Sequence, residues 1–393
     1  MSPIQTLVAT LGLLNAAAAV VSLKTGLRHW RSARRARRGG NGVPEGALPE
    51  VTLIVPCCGD EEGLESNLEA LLGQDYPRSR IRFVVEAAVD GAVPVIERVR
   101  ARHPGRADLV FAGPARAQGQ KVHNLLAALD HAPVSEALVF ADSDGRPEAH
   151  WMRRLVTELA GPEVGVASTY RFYRPAPATF ATLLRSVWNL SVLALLGDHD
   201  RNFAWGGGMA IRREVFERAG VRPAWRGALS DDYALTHAVR RTGLRVAFVP
   251  ECVVGSEDEV GLGSFLAWSA RQIGITRVYW PALFRLAALA NLPSAAFLVL
   301  APAVGGALPM TLLLLVLCLG AASGGLRAMA LGHHAPQWKP DLRRFAWAYV
   351  LMAPLCGLVT ASGVLRSLMS RRIEWRGKVY EMRSPRETVI LEG

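Results

Sequence analysis

Cysteine is scarce and shows no pairing pattern: five residues in 393, an odd number, with no CxxC spacing among them. Cys57 and Cys58 are adjacent, Cys252 ends an expected strand, and Cys318 and Cys356 sit in apolar runs. A disulfide framework and a structural zinc site are excluded. Charge is thin at 20% and aromatic residues make up 7%, whereas 50% of the residues are hydrophobic and the mean hydropathy is +0.18. That balance excludes a disordered chain and directs part of this one into lipid. There is no internal repeat and no low-complexity tract outside one Arg-rich stretch. At about 100 to 200 residues per domain, a single small module is excluded as well.

Acidic residues are in deficit, 34 against 45 Lys and Arg, which leaves a net charge of +11. Such a surplus suits nucleic acid, anionic lipid or a phosphorylated substrate, and its position decides among them. Lys24, Arg28, Arg31, Arg34, Arg35, Arg37 and Arg38 directly follow the apolar run from Ile4 to Leu23. Neither a nucleic-acid fold signature nor interleaved aromatic residues accompany them. The expected partner is an anionic lipid bilayer and not nucleic acid. Because the charges follow the apolar run and no clean small-residue cleavage site comes before them, the segment reads as an uncleaved anchor.

The expected organisation is a membrane anchor over 1–26, a basic juxtamembrane linker over 27–48 and a water-soluble α/β domain over 49–263. An interfacial amphipathic helix over 264–282, membrane helices over 283–369 and a basic tail over 370–393 follow. Three apolar blocks, Leu283 to Val304, Ala307 to Ala322 and Phe345 to Met369, each approach the length that about 30 Å of hydrocarbon requires. Trp268, Arg271, Arg277, Tyr279 and Trp280 mix rings and cations as an interfacial helix does. Phe180 to Leu196 is placed either at the membrane surface or in a core. A loop with Arg327, Lys339, Arg343 and Arg344 and the tail with Arg371, Arg372, Arg376 and Lys378 both carry the charge of a cytosolic side. A re-entrant hairpin at Pro354 would reconcile them.

Within the α/β part, Val51 to Pro56, Ile81 to Glu86, Asp108 to Ala112 and Ala137 to Ala141 are apolar runs of strand length. Leu64, Leu68, Leu71 and Leu72 share one helical face between the first two. The repetition predicts a parallel sheet with right-handed crossovers, in which ligands bind beyond the carboxyl ends of the strands.

Four clusters carry chemistry there. Asp142-Ser-Asp144 follows the fourth strand and sets two carboxylates at the sheet edge, as a hard divalent cation prefers, although a turn closed by Asp and Ser explains the same residues. Ser230-Asp231-Asp232 opens a helix, where one carboxylate caps and the second is surplus, free to take a proton from a hydroxyl. Gly119-Gln-Lys121 begins another helix, which suits a phosphate or merely exposes a lysine. Trp205-Gly206-Gly207-Gly208 lets backbone approach a flat ligand, or makes a tight turn. His123 and His199 read as structural.

In this order between membrane segments, the clusters resemble the family 2 glycosyltransferases, above all the ceramide glucosyltransferase-like branch that includes hopanoid-biosynthesis enzymes. The likeness also rests on Asn67-Leu-Glu-Ala-Leu-Leu-Gly-Gln-Asp-Tyr-Pro77, Val89-Asp90-Gly91, Gly206-Gly-Gly-Met209 and Trp375-Arg-Gly377. It implies a Rossmann-like GT-A fold and a UDP-sugar donor, with Glu86 and Asp90 on the nucleotide side and Asp142 and Lys121 at the diphosphate. Asp142 and Asp144 would hold Mg²⁺ or Mn²⁺, Asp232 would be the catalytic base with Asp231 in support, and Trp205, Gly206, Gly207 and Gly208 would face the acceptor. Where the family shows Gln or Arg, two residues, then Arg-Trp, this chain reads Arg271-Gln-Ile-Gly-Ile275. Arg271, Gln272, Arg277 or Trp280 is expected to take over the donor or acceptor contacts of that helix, with Arg271 and Gln272 assigned to the donor. The missing Arg-Trp pair argues against polymer synthesis and for one transfer to a membrane lipid, ceramide-like or hopanoid-like. The expectation is an inverting hexosyltransferase integral to a bacterial inner membrane, its catalytic domain in the cytosol. A processive polysaccharide synthase, a transporter and a non-catalytic membrane scaffold are the alternatives; no oligomeric state is legible.

Overall fold

A computed structural model describes residues 2–35, 48–131 and 135–392, so Arg37 and Arg38 of the basic cluster lie outside the described residues. The chain divides into two compact units. An α/β unit comprises Arg37–Phe172, Leu196–Ser256 and Arg372–Gly393, and a helical unit comprises Met1–Ala36, Tyr173–Leu195 and Glu257–Arg371.

The strands in chain order are β1 (Val51–Pro56), β2 (Ser79–Val85), β3 (Ala107–Phe111), β4 (Ala137–Ala141), β5 (Val164–Ser168), β6 (Arg171–Tyr173), β7 (Gly208–Arg212), β8 (Arg245–Phe248) and β9 (Val254–Ser256). Seven of them form one sheet in the order β3-β2-β1-β4-β7-β5-β8. The first four are parallel, as the repeated apolar runs predict. The apolar sequence of the two central strands follows from burial on both faces: all of β4 is buried, and all of β1 up to Val55, whereas β3 at the sheet edge is only partly buried. Helices Leu64–Leu72, Ala92–Arg102 and Gln120–Asp130 make the crossovers. Beyond β4 the sheet is mixed, not parallel as expected, because β7 enters antiparallel between β4 and β5. Ala141 pairs with Gly208 and Phe140 with Met209, and this register sets the glycine run beside the Asp142 loop.

In the core, Trp225 meets Phe140 and Phe216 edge to face at 5.4 and 5.5 Å between centroids. Its indole N–H donates to the Asp231 carbonyl at 2.9 Å, tying the start of the helix Asp231–Arg240 to that core.

The expected basic tail is instead a folded part of the α/β unit. Strands β10 (Arg372–Trp375), β11 (Lys378–Ser384) and β12 (Glu387–Glu392) form an antiparallel sheet. The turn between the first two is Arg376-Gly377, with φ of 54° and 73°, a pair of left-handed residues whose twist matches flanking strands. Alternation along β11 turns Tyr380 and Met382 inward, both buried. Thr388 Oγ1 donates to the Gly227 carbonyl at 2.9 Å, and the Tyr380 hydroxyl accepts the Gln120 N–H at 3.3 Å.

In the helical unit the first helix, Pro3–Arg35, continues past residue 26 through Arg28, Arg31 and Arg34, since nothing in that sequence breaks a helix. Among the described residues, three helices are long and apolar enough to cross a membrane: Pro3–Arg31, Pro281–Val304 and Ala307–His334. The third C-terminal block does not form a single helix. It splits into Ala346–Leu351 and Cys356–Met369 around Ala353–Leu355, where Pro354 interrupts the ladder. Arg327, expected in a loop, lies within the helix Ala307–His334 and donates to Ser22 Oγ at 2.8 Å. Phe180–Leu193 is a buried core helix, capped by Thr179, its Arg185 held by Asp258 at 2.7 and 2.8 Å. The helix expected at 264–282 forms as Leu262–Tyr279, and Trp268 packs within the unit against Tyr173, Trp188 and Phe265.

Between β9 and β10 lie two helices of span length, Pro281–Val304 and Ala307–His334. If both cross a membrane, a third full crossing would separate β10–β12 from the strands and helices they pack on, and the break at Pro354 agrees with that strand topology. Cysteines introduced at exposed Val89 and at Arg383, in a background without native cysteines, should therefore react with an impermeant maleimide from the same side of the membrane. Labelling from opposite sides would contradict this arrangement.

Candidate functional site

The site lies at the carboxyl edge of the sheet, where the order β2-β1-β4 reverses direction, and all of it belongs to the α/β unit. Lys121 is its centre. The residue stands in the first turn of Gln120–Asp130, and Nζ lies 2.8 Å from Asp142 Oδ1 and 3.2 Å from Asp231 Oδ2. Burial opposes the charge on Lys121, but Asp142 and then Asp231 outweigh it and hold the ammonium well above the ordinary lysine range. Asp231 is 3% exposed, and burial, reinforced by Asp232 and Asp142 and opposed by Lys121, pushes its carboxyl up to about 6. The two acidic clusters, far apart in sequence, meet through one cation.

Asp142 and Asp144 share a second cation that sequence reasoning missed. Arg171, the first residue of β6, sets Nη1 2.7 Å from Asp144 Oδ2 and Nη2 2.5 Å from Asp144 Oδ1 and 3.1 Å from Asp142 Oδ2. Burial alone would raise the Asp144 pKa, but Arg171 more than offsets it and the carboxyl stays below its usual range. The guanidinium also stacks 5.1 Å from the Trp205 ring centroid. The available signal was a lone arginine inside Thr169-Tyr-Arg-Phe-Tyr173, a charge in an otherwise apolar, aromatic stretch.

The three glycines are a steric requirement of these charges. A Cβ on Gly206 would come 2.7 Å from Lys121 Nζ and closer still to Asp231 Oδ2. On Gly207 it would meet Asp142 Oδ2 at 2.6 Å and run into the Trp205 ring, and on Gly208 it would run into Thr169. Trp205 is fixed by its own N–H, which donates to Ser168 Oγ at 2.9 Å.

Asp232 occupies the more open side of the helix start. Its Oδ1 accepts from the Ser230 hydroxyl and from the Tyr233 N–H, while Oδ2 accepts only a long 3.3 Å bond from the Gly206 N–H. Ser230 is the N-cap, and Asp232 Oδ1 shares the Tyr233 N–H with it, which leaves Oδ2 as the less engaged oxygen.

On the other flank, Asp90 Oδ1 accepts the N–H groups of Gly59 at 2.8 Å and Ala92 at 2.9 Å, joining the loops after β1 and β2. Glu86 follows β2 and pairs with Lys378 at 3.1 Å. Glu61, on the loop after β1, pairs with Arg376. Arg271 and Gln272 stand on the helix Leu262–Tyr279 of the helical unit, whereas every group described above comes from the α/β unit.

A sheet of this order, with paired carboxylates ending β4 and a second acidic pair opening a helix, defines the GT-A class of glycosyltransferases. The glycosyl transferase family 21 model matches residues 13–388, and the chain belongs to that family. The resemblance to ceramide glucosyltransferases is borne out by relatives. The chain is 24% identical to the glycosyltransferase AglE of Haloferax volcanii over 61% of its own length and 81% of that protein. It is 21% identical to ceramide glucosyltransferase 3 of Caenorhabditis elegans over 56% of its own length, and it spans about half, 49%, of that relative. The fold matches the mannosyltransferase PcManGT from Pyrobaculum calidifontis, solved with GDP-Man and Mn²⁺, at a TM-score of 0.54 and 22% identity, over 90% of this chain and 98% of that one.

The pH dependence of folding follows from Asp231. A carboxyl whose native pKa is raised holds a proton in the folded state that the unfolded chain has already lost, so its contribution to stability falls as pH rises. That contribution is full below the ordinary value of 3.8 and is lost as pH climbs through about 6. The stability of Asp231→Asn relative to wild type, measured by denaturant unfolding, should therefore increase from about pH 4 through pH 6 and level about one unit above it. A difference independent of pH would show that Asp231 is not held in this state.

Proposed function

We propose that this glycosyltransferase is an integral membrane enzyme that transfers a hexose from a UDP-sugar to a hydroxyl-bearing lipid, with inversion, on the cytosolic side. The observation that carries the reading is the Lys121 bridge, which draws Asp142 and the Asp231-Asp232 pair into one site. The three span-length helices and the ceramide glucosyltransferase relative support a lipid acceptor. The basic residues closing the first helix support a cytosolic α/β unit.

Asp142 and Asp144 suit a hard divalent cation. They offer two carboxylates, whose oxygens are engaged by Lys121 and Arg171 in this structure. A Mg²⁺ or Mn²⁺ ion held by one or two carboxylates is ordinarily completed by substrate phosphates. Such an ion, when bound, offsets the charge that develops on the departing diphosphate. Lys121 and Arg171 supply positive charge from the protein to the same carboxylates and to the phosphates beside them. Asp232 Oδ2, lightly held by the Gly206 N–H, accepts the proton of the acceptor hydroxyl as its oxygen attacks the anomeric carbon. Asp231, buried against Lys121, keeps that lysine in place rather than moving a proton itself. Glu86 and Asp90 belong to the nucleotide side, and Trp205 and its glycines border the acceptor.

Purified protein in detergent, incubated with UDP-hexoses and a membrane lipid extract with and without Mn²⁺, should yield lipids heavier by one hexose on mass spectrometry. Asp232→Asn should lower the rate by about 10²- to 10⁴-fold with an unchanged melting temperature, the range expected for a lost general base. The reading fails if no lipid gains a sugar under any condition, or if Asp232→Asn transfers at the wild-type rate.

A further inference from the structure

The C-terminal hairpin does more than complete the fold. Its turn sets Arg376 against Glu61 on the loop after β1, at the point where the strand order reverses. Two residues along, Lys378 pairs with Glu86 after β2 at 3.1 Å, and Tyr380 receives the Gln120 N–H at the start of the helix that carries Lys121. The turn residue Arg376 and the next two inward-side positions, Lys378 and Tyr380, thus reach the loop after β1, the loop after β2 and the start of the helix Gln120–Asp130.

Two features separate Arg376 from an ordinary latch. Among the described residues it is the only non-glycine with positive φ, 54°, at a turn position where Asn, Asp or Gly serves at lower cost. A strained residue kept in place of an easier one is a sign of function. Its partner is also incompletely satisfied: Glu61 Oε2 is buried and has no hydrogen-bond partner, and burial raises the Glu61 pKa even with Arg376 opposing it. A purely structural ion pair would leave neither a strained turn nor an orphaned oxygen.

We propose that Arg376, carried into the site by the C-terminal hairpin, binds the diphosphate of the nucleotide donor. This rests on the donor-binding reading given above. A guanidinium presents paired donors that match two phosphate oxygens, and its charge compensates what Asp142, Asp144 and Glu61 concentrate at this edge. The polypeptide therefore completes its donor site only after the last membrane helix has been made and β10–β12 have folded back.

The test uses Arg376→Asn in the full-length protein in detergent. Asn-Gly is a favoured sequence for this turn, so the hairpin keeps its geometry while the guanidinium is lost. Titration calorimetry with UDP and with GDP, each with Mn²⁺, should show about tenfold weaker diphosphate binding, the scale of a lost charge-assisted contact. UMP and GMP should bind as they do to wild type, and the melting temperature should hold or rise. Arg376→Lys should recover part of the loss, and Arg383→Ala, an exposed cation further along the same hairpin, should leave binding unchanged. Equal diphosphate affinity in Arg376→Asn and wild type would overturn the proposal, as would equal losses for mono- and diphosphates with a lower melting temperature. Failure of the wild type to bind either diphosphate would instead sink the donor-binding reading, and this inference with it.

Discussion

One ammonium group, that of Lys121, holds together two stretches of chain that are 89 positions apart at Asp142 and Asp231. Asp231 is almost wholly buried, and a carboxylate in that position without a cation beside it would carry several kcal/mol of uncompensated desolvation. The arrangement therefore needs the helix Gln120–Asp130, the end of β4 and the start of Asp231–Arg240 to arrive together. Much of the surrounding structure is arranged around that meeting. The register of β7 on β4 brings the glycine run alongside, the absence of side chains there lets the charges close, and Trp225 fastens the Asp231 carbonyl to the aromatic core.

The same edge is assembled from segments on either side of the helical unit in sequence. Strands β1 to β9 precede its C-terminal helices and β10 to β12 follow them, yet both groups fold into one α/β unit. The last apolar block, which lies between the two groups in sequence, is broken at Pro354.

The sequence made the front half of the sheet legible because parallel strands buried on both faces read as apolar runs, and the loops after them are short. The acidic clusters were legible for a related reason: carboxylates at a strand end or helix start stand out against apolar neighbours. Arg171 was not, since β6 is three residues long and its charge is explained only by partners 27 and 29 positions away. The tail misled for a different reason. Arg371, Arg372, Arg376 and Lys378 read as a basic juxtamembrane run, and a small antiparallel sheet whose inward face is formed by Lys378, Tyr380 and Met382 leaves little periodicity to detect. Arg327 shows the same limit in the helices, where mean hydropathy marks an apolar block without fixing where a helix ends, whereas the break at Pro354 was legible from the proline and the charges around it.

The most direct test of the Lys121 bridge is a double-mutant cycle on unfolding free energy with Lys121→Met, Asp231→Asn and the pair combined. If Lys121 neutralises a buried Asp231, the combined variant is more stable than Lys121→Met alone, with a coupling of about 1 kcal/mol or more. Strictly additive losses would mean that the two groups do not interact, and the convergence of the acidic clusters would lose its physical basis.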